Sequence, residues 1–579
     1  MAGMRGETMA DGVSGGQLLV DALKQLGVER LFSVSGGCIN PIYLACAQGE
    51  PVLHHVRHEG AAGFMAEATY RATGRAGVAV VTLGPGVTNT VTPCISASLA
   101  GVPMLVVGGQ VPAAVIDKGA GMAADTLSVM SAVTKWAVRV GEVERIPEYV
   151  AEAWRRMHAP TAGPVYLEVP ADVLAGQLSR ADAARLIQTW VRPQPRQAIR
   201  PDAASLTRAA EVLQGSARTL VLVGDDCFHS SGSAQVEQFV EWSGAAFATL
   251  RLARGLLADA DPRCIGPGYV PCNRVLEQAL TEADTVVLLG HHWEFDLEFG
   301  SGVGAQTTVV QVLPDPARVG SNGRVDVPVV ASVGGFLAAL TESQGDSGVR
   351  LAGDGRHDRS WVAQLAADWD AHCLRTVEDA AAPGPGADEV AGTDDALHPV
   401  TLIRAVEASV PQGTTFVTSH GNVDFWADEV LSIDGVSAYL RSGQSGTLGA
   451  EVPYGVAAAL TQGGPCVVFV GDGGIGYAVA ELDTAARYGA NVLVVVADDQ
   501  QWAAISLPQS REYGQAVELG LPGRDWVAVA EGLGARARRA ETVVQVQQAV
   551  KELLSGEGPA LLHVPIRAVE SPYMIHISR

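Results

Sequence analysis

The sequence predicts an α/β protein built from three doubly wound parallel-sheet domains, and three observations carry that prediction. Short β-branched runs alternate with helix-forming stretches along most of the 579 residues. Several runs stop abruptly in glycine-rich turns, as strands do at the carboxyl edge of a parallel sheet. Hydrophobic residues make up 47% and charged residues 18%, a globular balance, and the length suffices for about three to four domains with their own cores.

Residues 1–16 are Gly-rich, carry both charge signs and lack a signal-peptide apolar core, so they read as a flexible tail. The first domain is placed at 17–190. Gln17 to Leu26 has the period of an amphipathic helix, and Leu31 to Val34 reads as a strand ending in Ser35-Gly36-Gly37. A second strand, Val52 to Val56, leads to Arg57-His58-Glu59-Gly60 and a helix from Ala61 to Thr73. Strand Val78 to Leu83 runs into Gly84-Pro85-Gly86-Val87-Thr88-Asn89, and Met104 to Val107 into Gly108-Gly109-Gln110. Four glycine-bearing strand ends make one open sheet with a functional edge. Glu59 opens a helix, where favouring the dipole would be its plain role. Val165 to Pro170 closes the domain, and the Pro- and Arg-rich stretch Val191 to Pro201 is a linker.

A central domain at 202–342 repeats the alternation, with strands at Thr219 to Val223, Ala246 to Leu250, Thr285 to Leu289 and Thr308 to Val312. His291-His292 is not a metal pair, because neighbours on a strand point to opposite faces. Residues 343–396 read as a linker that carries one helix, Ser360 to Glu378, before a Pro/Gly/Asp-rich stretch. The third domain, 397–579, holds the strongest chemical signal.

That signal is a βαβ unit from Cys466 to Trp502: strand Val467 to Val470, the turn Gly471-Asp472-Gly473-Gly474, helix Ala478 to Tyr488, and strand Val492 to Val496. Such a turn lets phosphate oxygens approach the backbone and a helix start. Asp472 and Asp499 each follow a strand, so adjacent strands set two hard oxygen ligands side by side, which suits Mg²⁺. Gly471, Gly473 and Gly476 also satisfy G-x-G-x-x-G, a dinucleotide pattern. The metal reading explains Asp472; the dinucleotide reading only tolerates it.

Gly471-Asp472-Gly473 followed by the pair Asp498-Asp499 resembles the GDG…NN signature of thiamin diphosphate (ThDP) enzymes. The resemblance implies that Asp472, Asp499 and the Gln501 carbonyl hold Mg²⁺, with Gly471, Gly473 and Gly474 at the diphosphate. The stretch RHEGAAGFMAEATYRATGRAGVAVVTLGPGVTN, from Arg57, resembles the pyrimidine-binding domain of the branch containing acetolactate synthase, as does the segment from Leu31 to Tyr43. It implies that Glu59 is catalytic, bonding the aminopyrimidine so that a C2 ylid forms. Asn422 is then a diphosphate contact, Gly446 and Leu448 lie beneath the cofactor, and Gly36, Gly37, Gln110 and Trp502 are candidate substrate contacts. Arg254 to Asp259 and LLGHHWEFDLEFGSG resemble the central domain of the oxalyl-CoA decarboxylase and 2-hydroxyacyl-CoA lyase branch. FAD is therefore possible there but not expected to be required. Two departures stand out: Asp498-Asp499 replaces Asn-Asn, and Gly121 to Asp125 lacks the aromatic-Gln-Glu stretch ahead of Thr134-Lys135. Substrate choice is thus not expected to follow acetolactate synthase closely.

The implied activity is that of a ThDP- and Mg²⁺-dependent lyase or carboligase on a 2-keto acid or related carbonyl compound. The family builds its sites between subunits, which implies a homo-oligomer, dimer or tetramer, with active sites at the interface. A non-catalytic regulatory ThDP-fold subunit and a nucleotide-dependent oxidoreductase are the alternatives. A formal net charge of −23 excludes a nucleic-acid partner, and no apolar run is long enough for a membrane span. Eight cysteines without paired spacing fit free thiols in a cytoplasmic protein.

Overall fold

The computed structural model describes residues 12–47, 49–193, 198–346, 357–381, 396–435, 438–442 and 444–577. Most of the 1–16 tail, part of the 191–201 linker and most of the Pro/Gly/Asp-rich stretch before 397 lie outside the described residues. The chain divides into two compact units, Met1–Pro195 with Gly443–Ala457, and Arg196–Ser442 with Ala458–Arg579. Among the described residues no helix is long and apolar enough to cross a membrane.

The first unit opens with β1 (Gly12–Ser14) and carries β2 (Arg30–Ser33), β3 (Val52–His55), β4 (Gly77–Val81), β5 (Met104–Gln110), β6 (Trp136–Arg139) and β7 (Pro164–Pro170). Strands β2 to β7 form one sheet in the order β3-β2-β4-β5-β7-β6, every neighbour parallel. β1 pairs antiparallel with β8 (Gln177–Ser179). Residues 12–16 are therefore structured, which corrects the expected 1–16 tail. Their glycines serve packing: a Cβ on Gly15 would lie 2.2 Å from the Val173 carbonyl oxygen, and one on Gly16 2.4 Å from the Pro41 backbone. Gly108-Gly109-Gln110 likewise belongs to β5 and not to a turn, because a Cβ on Gly108 would meet the Tyr166 hydroxyl at 2.4 Å.

The second unit holds two sheets. The central one comprises β9 (Thr219–Val223), β10 (Ala246–Thr249), β11 (Cys264–Pro267), β12 (Thr285–Leu289), β13 (Thr308–Leu313) and β14 (Val327–Val330), ordered β11-β10-β9-β12-β13-β14. The strand order reverses between β9 and β12, the switch point of a doubly wound sheet. The other comprises β15 (Thr415–Thr418), β16 (Tyr439–Arg441), β17 (Cys466–Gly471), β18 (Val492–Asp498), β19 (Arg536–Arg539) and β20 (Ala560–Pro565), ordered β16-β15-β17-β18-β20-β19. This repeats the strand order of the first unit's sheet. Inner strands such as β9 and β18 are buried at every position, as parallel strands covered on both faces must be.

Arg254 pins the 428–433 segment to the central domain inside this unit. Its side chain is 1% exposed, and its guanidinium donates to the carbonyls of Asp428 at 2.8 Å and Leu431 at 2.9 Å. It also pairs with the Asp259 carboxylate at 3.4 Å and stacks 4.7 Å from the Tyr439 ring centre. Removing one partner of a buried pair strands the other charge, at a cost of roughly 3–5 kcal/mol. Arg254→Leu is expected to lower unfolding stability by about that much in urea titrations. Adding Asp259→Asn to the variant should recover part of the loss, because the stranded charge is removed.

Candidate active site

In the first unit, the chemistry-bearing residues gather at the carboxyl ends of β2, β3 and β4. Glu59 is the first residue of helix Glu59–Thr73, whose start is capped by the His58 ring accepting from the Gly60 N–H at 3.0 Å. The Glu59 carboxylate is half-buried and accepts from the Asn89 amide at 2.9 Å. Its other oxygen would stand 3.6 Å from a Cβ on Gly86. Glycine there keeps open the space in front of the carboxylate. Gly36 sits so close to Thr82 that a Cβ would come within 2.3 Å of Oγ1, whereas Gly37 faces open space. Asn89 is the functional neighbour that sequence reasoning passed over, although it ends the quoted glycine-rich motif.

Gln110 ends β5 with its amide engaged inside the protein. It donates to Glu168 and to the Ala124 carbonyl, each at 3.3 Å, and accepts from the Val111 N–H at 2.9 Å. Lys135 donates to the carbonyls of Arg156 and Ala159, 2.8 and 2.7 Å away, so it closes a helix end. Met122 replaces the missing polar stretch: its side chain is exposed, and its carbonyl lies 2.4 Å from where a Cβ on Gly84 would be.

The segment 444–457 contributes the loop that holds Gly446 and Leu448. Gly446 has φ +62, a left-handed conformation that glycine adopts without strain, and a Cβ there would meet nothing within 4 Å. Leu448 is half-buried. The helix that follows packs Tyr454 against Phe64, ring centres 6.2 Å apart, and beneath Arg71 at 5.7 Å. This loop is therefore anchored to the helix that begins at Glu59.

In the second unit, β17 and β18 run parallel with Gly471 opposite Ala497, so Asp472 and the Asp498-Asp499 pair emerge together. Asp472 opens the short helix Asp472–Ile475, where the sequence reading placed a glycine turn, and is buried. Burial first, and the neighbouring Asp498 charge second, raise the Asp472 carboxyl well above the usual carboxylate range. Asp499 is pushed up to about 8, again by burial and then by the charge of Asp472. Gln500 takes φ +56, and the Gln500 and Gln501 N–H groups donate back to Asp498 and Asp499 at 3.1 and 3.3 Å. The Gln501 side chain accepts from Ser506 at 2.6 Å. Gly473 is needed because the Trp502 indole lies on it: a Cβ would come within 2.6 Å of Cζ3. Gly474 is buried in the short helix, and Gly471 leaves open space where a side chain would stand.

Asn422 does not present its side chain to this edge. Its amide donates to the Val569 carbonyl at 2.7 Å and accepts from the Ser571 N–H at 3.1 Å, tying down the C-terminal segment. Two mutually repelling carboxylates with raised proton affinity form a donor set that suits a hard divalent cation. Among the described residues no three His, Cys, Asp or Glu side chains could hold a metal unaided, so further oxygens would come from backbone, water and a ligand.

At the central switch point the turn after β9 carries Asp225-Asp226. Asp226 accepts from the Val333 N–H at 2.7 Å and from Ser230 at 2.8 Å, and Asp225 from the Leu252 N–H at 3.2 Å. The turn's own N–H groups go to Leu289 and Gly290 carbonyls. His291 bonds Glu294 at 2.9 Å, Arg251 pairs with Glu294, and His292 faces Arg318. Both histidines lie past the end of β12, with ring centres 5.3 Å apart, so the expected placement on opposite faces of a strand is corrected, although their polar partners differ. The turn's N–H groups are taken by carbonyls and its two carboxylates accept from neighbouring segments, unlike the donor-lined cradle that receives a pyrophosphate, so these residues do not favour a dinucleotide laid here.

Three parallel α/β sheets, with glycines and carboxylates at the working edges of the first and third, define a cofactor-dependent enzyme. Family comparison then identifies "Thiamine pyrophosphate enzyme, N-terminal TPP binding domain" over residues 13–132, the central domain of the same enzymes over 206–340, and their C-terminal TPP binding domain over 419–564. The chain belongs to the thiamine pyrophosphate (ThDP) enzyme family. Among its relatives, human 2-hydroxyacyl-CoA lyase 2 is 30% identical over 90% of this chain and 84% of its own. The large subunit of acetolactate synthase isozyme 1 from Escherichia coli (strain K12) is 27% identical over 97% and 95%. The acetolactate synthase of Mycobacterium bovis is 28% identical over 92% and 85%.

The raised carboxyls set a pH dependence. A group bound to its proton more tightly in the folded state contributes stability that is complete below its unfolded pKa, near 3.8 for Asp499, and gone above its folded pKa of about 8. Cofactor-free protein is expected to lose melting temperature through this pair as pH rises from about 4 to 8. Mg²⁺, which binds the ionised form, should therefore raise the melting temperature more at pH 8 than at pH 6. Asp499→Asn is expected to flatten the trend in a thermal-shift series, and an unchanged slope would refute the assignment.

Proposed function

We propose that the protein is a ThDP- and Mg²⁺-dependent carboligase or lyase acting on a 2-keto acid or related carbonyl compound. The observation that carries the proposal is the adjoining carboxylate pair, Asp472 and Asp499, at one sheet edge of a ThDP enzyme. In this reading Asp472, Asp499 and the Gln501 carbonyl hold the metal, and the backbone of Gly471, Gly473 and Gly474 receives the diphosphate. Asn422 contributes through its place at the start of helix Asn422–Val430, since its side chain is committed to the C-terminal segment. When bound, ThDP supplies a nucleophilic carbon and an electron sink, so that a bond next to a carbonyl breaks or forms without redox change.

The chain's own residues do the rest. Glu59 holds a proton at the pyrimidine ring nitrogen, and Asn89 fixes which carboxylate oxygen faces it. Leu448 and the Gly446 carbonyl would hold the cofactor from beneath. Gly37, which faces open space, leaves room for the substrate beside Glu59, Gly36 lets the turn close against Thr82, and Trp502 walls the metal edge. Gln110 shapes this side through its bonds to Glu168 and Ala124. The exposed Met122 and the alanines after it give the substrate side an apolar rim in place of the polar stretch of acetolactate synthases. In the same reading the protein is a homo-oligomer, dimer or tetramer, with active sites at the subunit interface, and its eight free thiols favour a cytoplasmic location. A non-catalytic scaffold would have no use for a glutamate braced by Asn89, and the turn after β9 does not favour a nucleotide-dependent oxidoreductase.

Two outcomes test the reading. Glu59→Gln is expected to fold and bind ThDP but to lose about 10²-fold or more in turnover, the usual scale of a lost proton-transfer group. Normal C2–H exchange of the bound cofactor in that variant would exclude Glu59 from the proton relay. Purified protein supplied with ThDP and Mg²⁺ alone is expected to be colourless and fully active in a 2-keto acid screen. Activity that returned only on adding FAD would show that the acidic turn after β9 had been misjudged.

A further inference from the structure

Asp498 is the residue of the Asp498-Asp499 pair, both departures from the ThDP signature, that the metal reading leaves without a role. It ends β18 buried, and its charge is among the causes that raise the carboxyls of both Asp472 and Asp499. Among the described residues no lysine or arginine pairs with any of these three carboxylates. What meets Asp498 is His563, on the neighbouring strand β20. Its Nε2 lies 2.8 Å from Asp498 Oδ2, and its side chain is 2% exposed. The carboxylate can only accept, so Nε2 carries the proton and donates. The other oxygen, Oδ1, accepts from the Gln500 N–H at 3.1 Å. Both oxygens are held, one towards β20 and one towards the backbone turn that sets Asp499.

We propose that His563 is a positioning residue for the metal–diphosphate site: by bonding Oδ2 while the Gln500 N–H bonds Oδ1, it fixes how far the Asp498 carboxylate, already beside Asp472, can turn towards the metal. The proposal rests on the reading of those two as metal ligands. Its logic is one of charge. One divalent ion offsets two carboxylates but not a third as well as a diphosphate, and at this burial a few ångströms decide how strongly each carboxylate is felt. If Asp498 were released, a cation alone would be held no less firmly, whereas the anionic diphosphate would be repelled. A purely structural role for His563 would weaken both.

The test is calorimetric titration of full-length protein with ThDP at saturating Mg²⁺, and separately with Mn²⁺ alone. His563→Leu is expected to weaken ThDP binding about tenfold or more, the scale seen when groups behind metal ligands are removed, with Mn²⁺ affinity not reduced. Adding Asp498→Asn should restore ThDP binding to within about threefold of wild type, since a neutral amide at this position leaves no third charge to restrain. Asp498→Asn with His563 intact should bind ThDP at least as tightly as wild type, which keeps the test decisive if His563→Leu fails to fold. Equal ThDP affinity in His563→Leu and wild type, parallel losses of ThDP and Mn²⁺, a double variant no better than His563→Leu, or weaker ThDP binding by Asp498→Asn would each overturn the proposal. Wild type that bound no ThDP would instead overturn the functional reading, and this inference with it.

Discussion

The third domain is organised around a repulsion. Three carboxylates, Asp472, Asp498 and Asp499, leave two adjacent parallel strands at the same level, two of them buried and the third half-buried. Like charges a few ångströms apart cost about 4 kcal/mol even at an effective dielectric near 20, so such a cluster persists only where something offsets it. The protein supplies part of that offset itself. Backbone N–H groups of Gln500 and Gln501 bond two of the carboxylates, and His563 bonds Asp498. What remains, an ionisable pair with raised proton affinity, is a poor structural motif and a good receptor for a divalent cation. The parallel arrangement is what makes this possible, since antiparallel neighbours would send the two strand ends to opposite edges.

The same strand order recurs in the first and third sheets, yet the two edges carry different groups. In the first, the acidic residue follows the edge strand β3 and is braced by an amide, Asn89, with a glycine facing its free oxygen. That is a setting for a carboxylate that exchanges a proton. In the third, the acidic residues follow the two inner strands and face one another, a setting that favours a metal. The central sheet, ordered differently, places Asp225 and Asp226 at its switch point and spends both on neighbouring hydrogen bonds. Position at a carboxyl edge therefore does not make a site. A site needs a polar group left with something still to bind.

Much of this was legible in the sequence because parallel strands announce themselves. Buried on both faces, they read as unbroken β-branched runs such as Thr219–Val223, which sequence and structure bound identically. Edge strands were harder. Val327–Val330 is apolar but interrupted by Pro328 and exposed at alternate positions, and Arg536–Arg539 is mostly arginine, so neither reads as a buried parallel strand. Glycine was the ambiguous letter. At Gly15, Gly16 and Gly108 it marks close packing inside regular structure, whereas at Gly446 it marks a left-handed turn. Composition cannot separate these cases, because the deciding fact is which distant atom occupies the space of the missing Cβ.

The candidate site divides along the same line. Asp472 and Asp499, each at its own strand end, could be named from local pattern, and Glu59 through the family resemblance of the stretch around it. Residues whose role depends on a partner far away in sequence could not. Asn422 looked like a diphosphate contact, but residues 569 and 571 claim its amide. His563 carried no signal at all, lying 65 positions from the aspartate it bonds. The Asp498-Asp499 pair read as an excess of charge because its compensation lies on another strand. A departure from a family signature is thus best taken as half of a pair. Where a buried charge is introduced without an adjacent counter-group, the fold must provide one across the sheet, and here it is the histidine on β20.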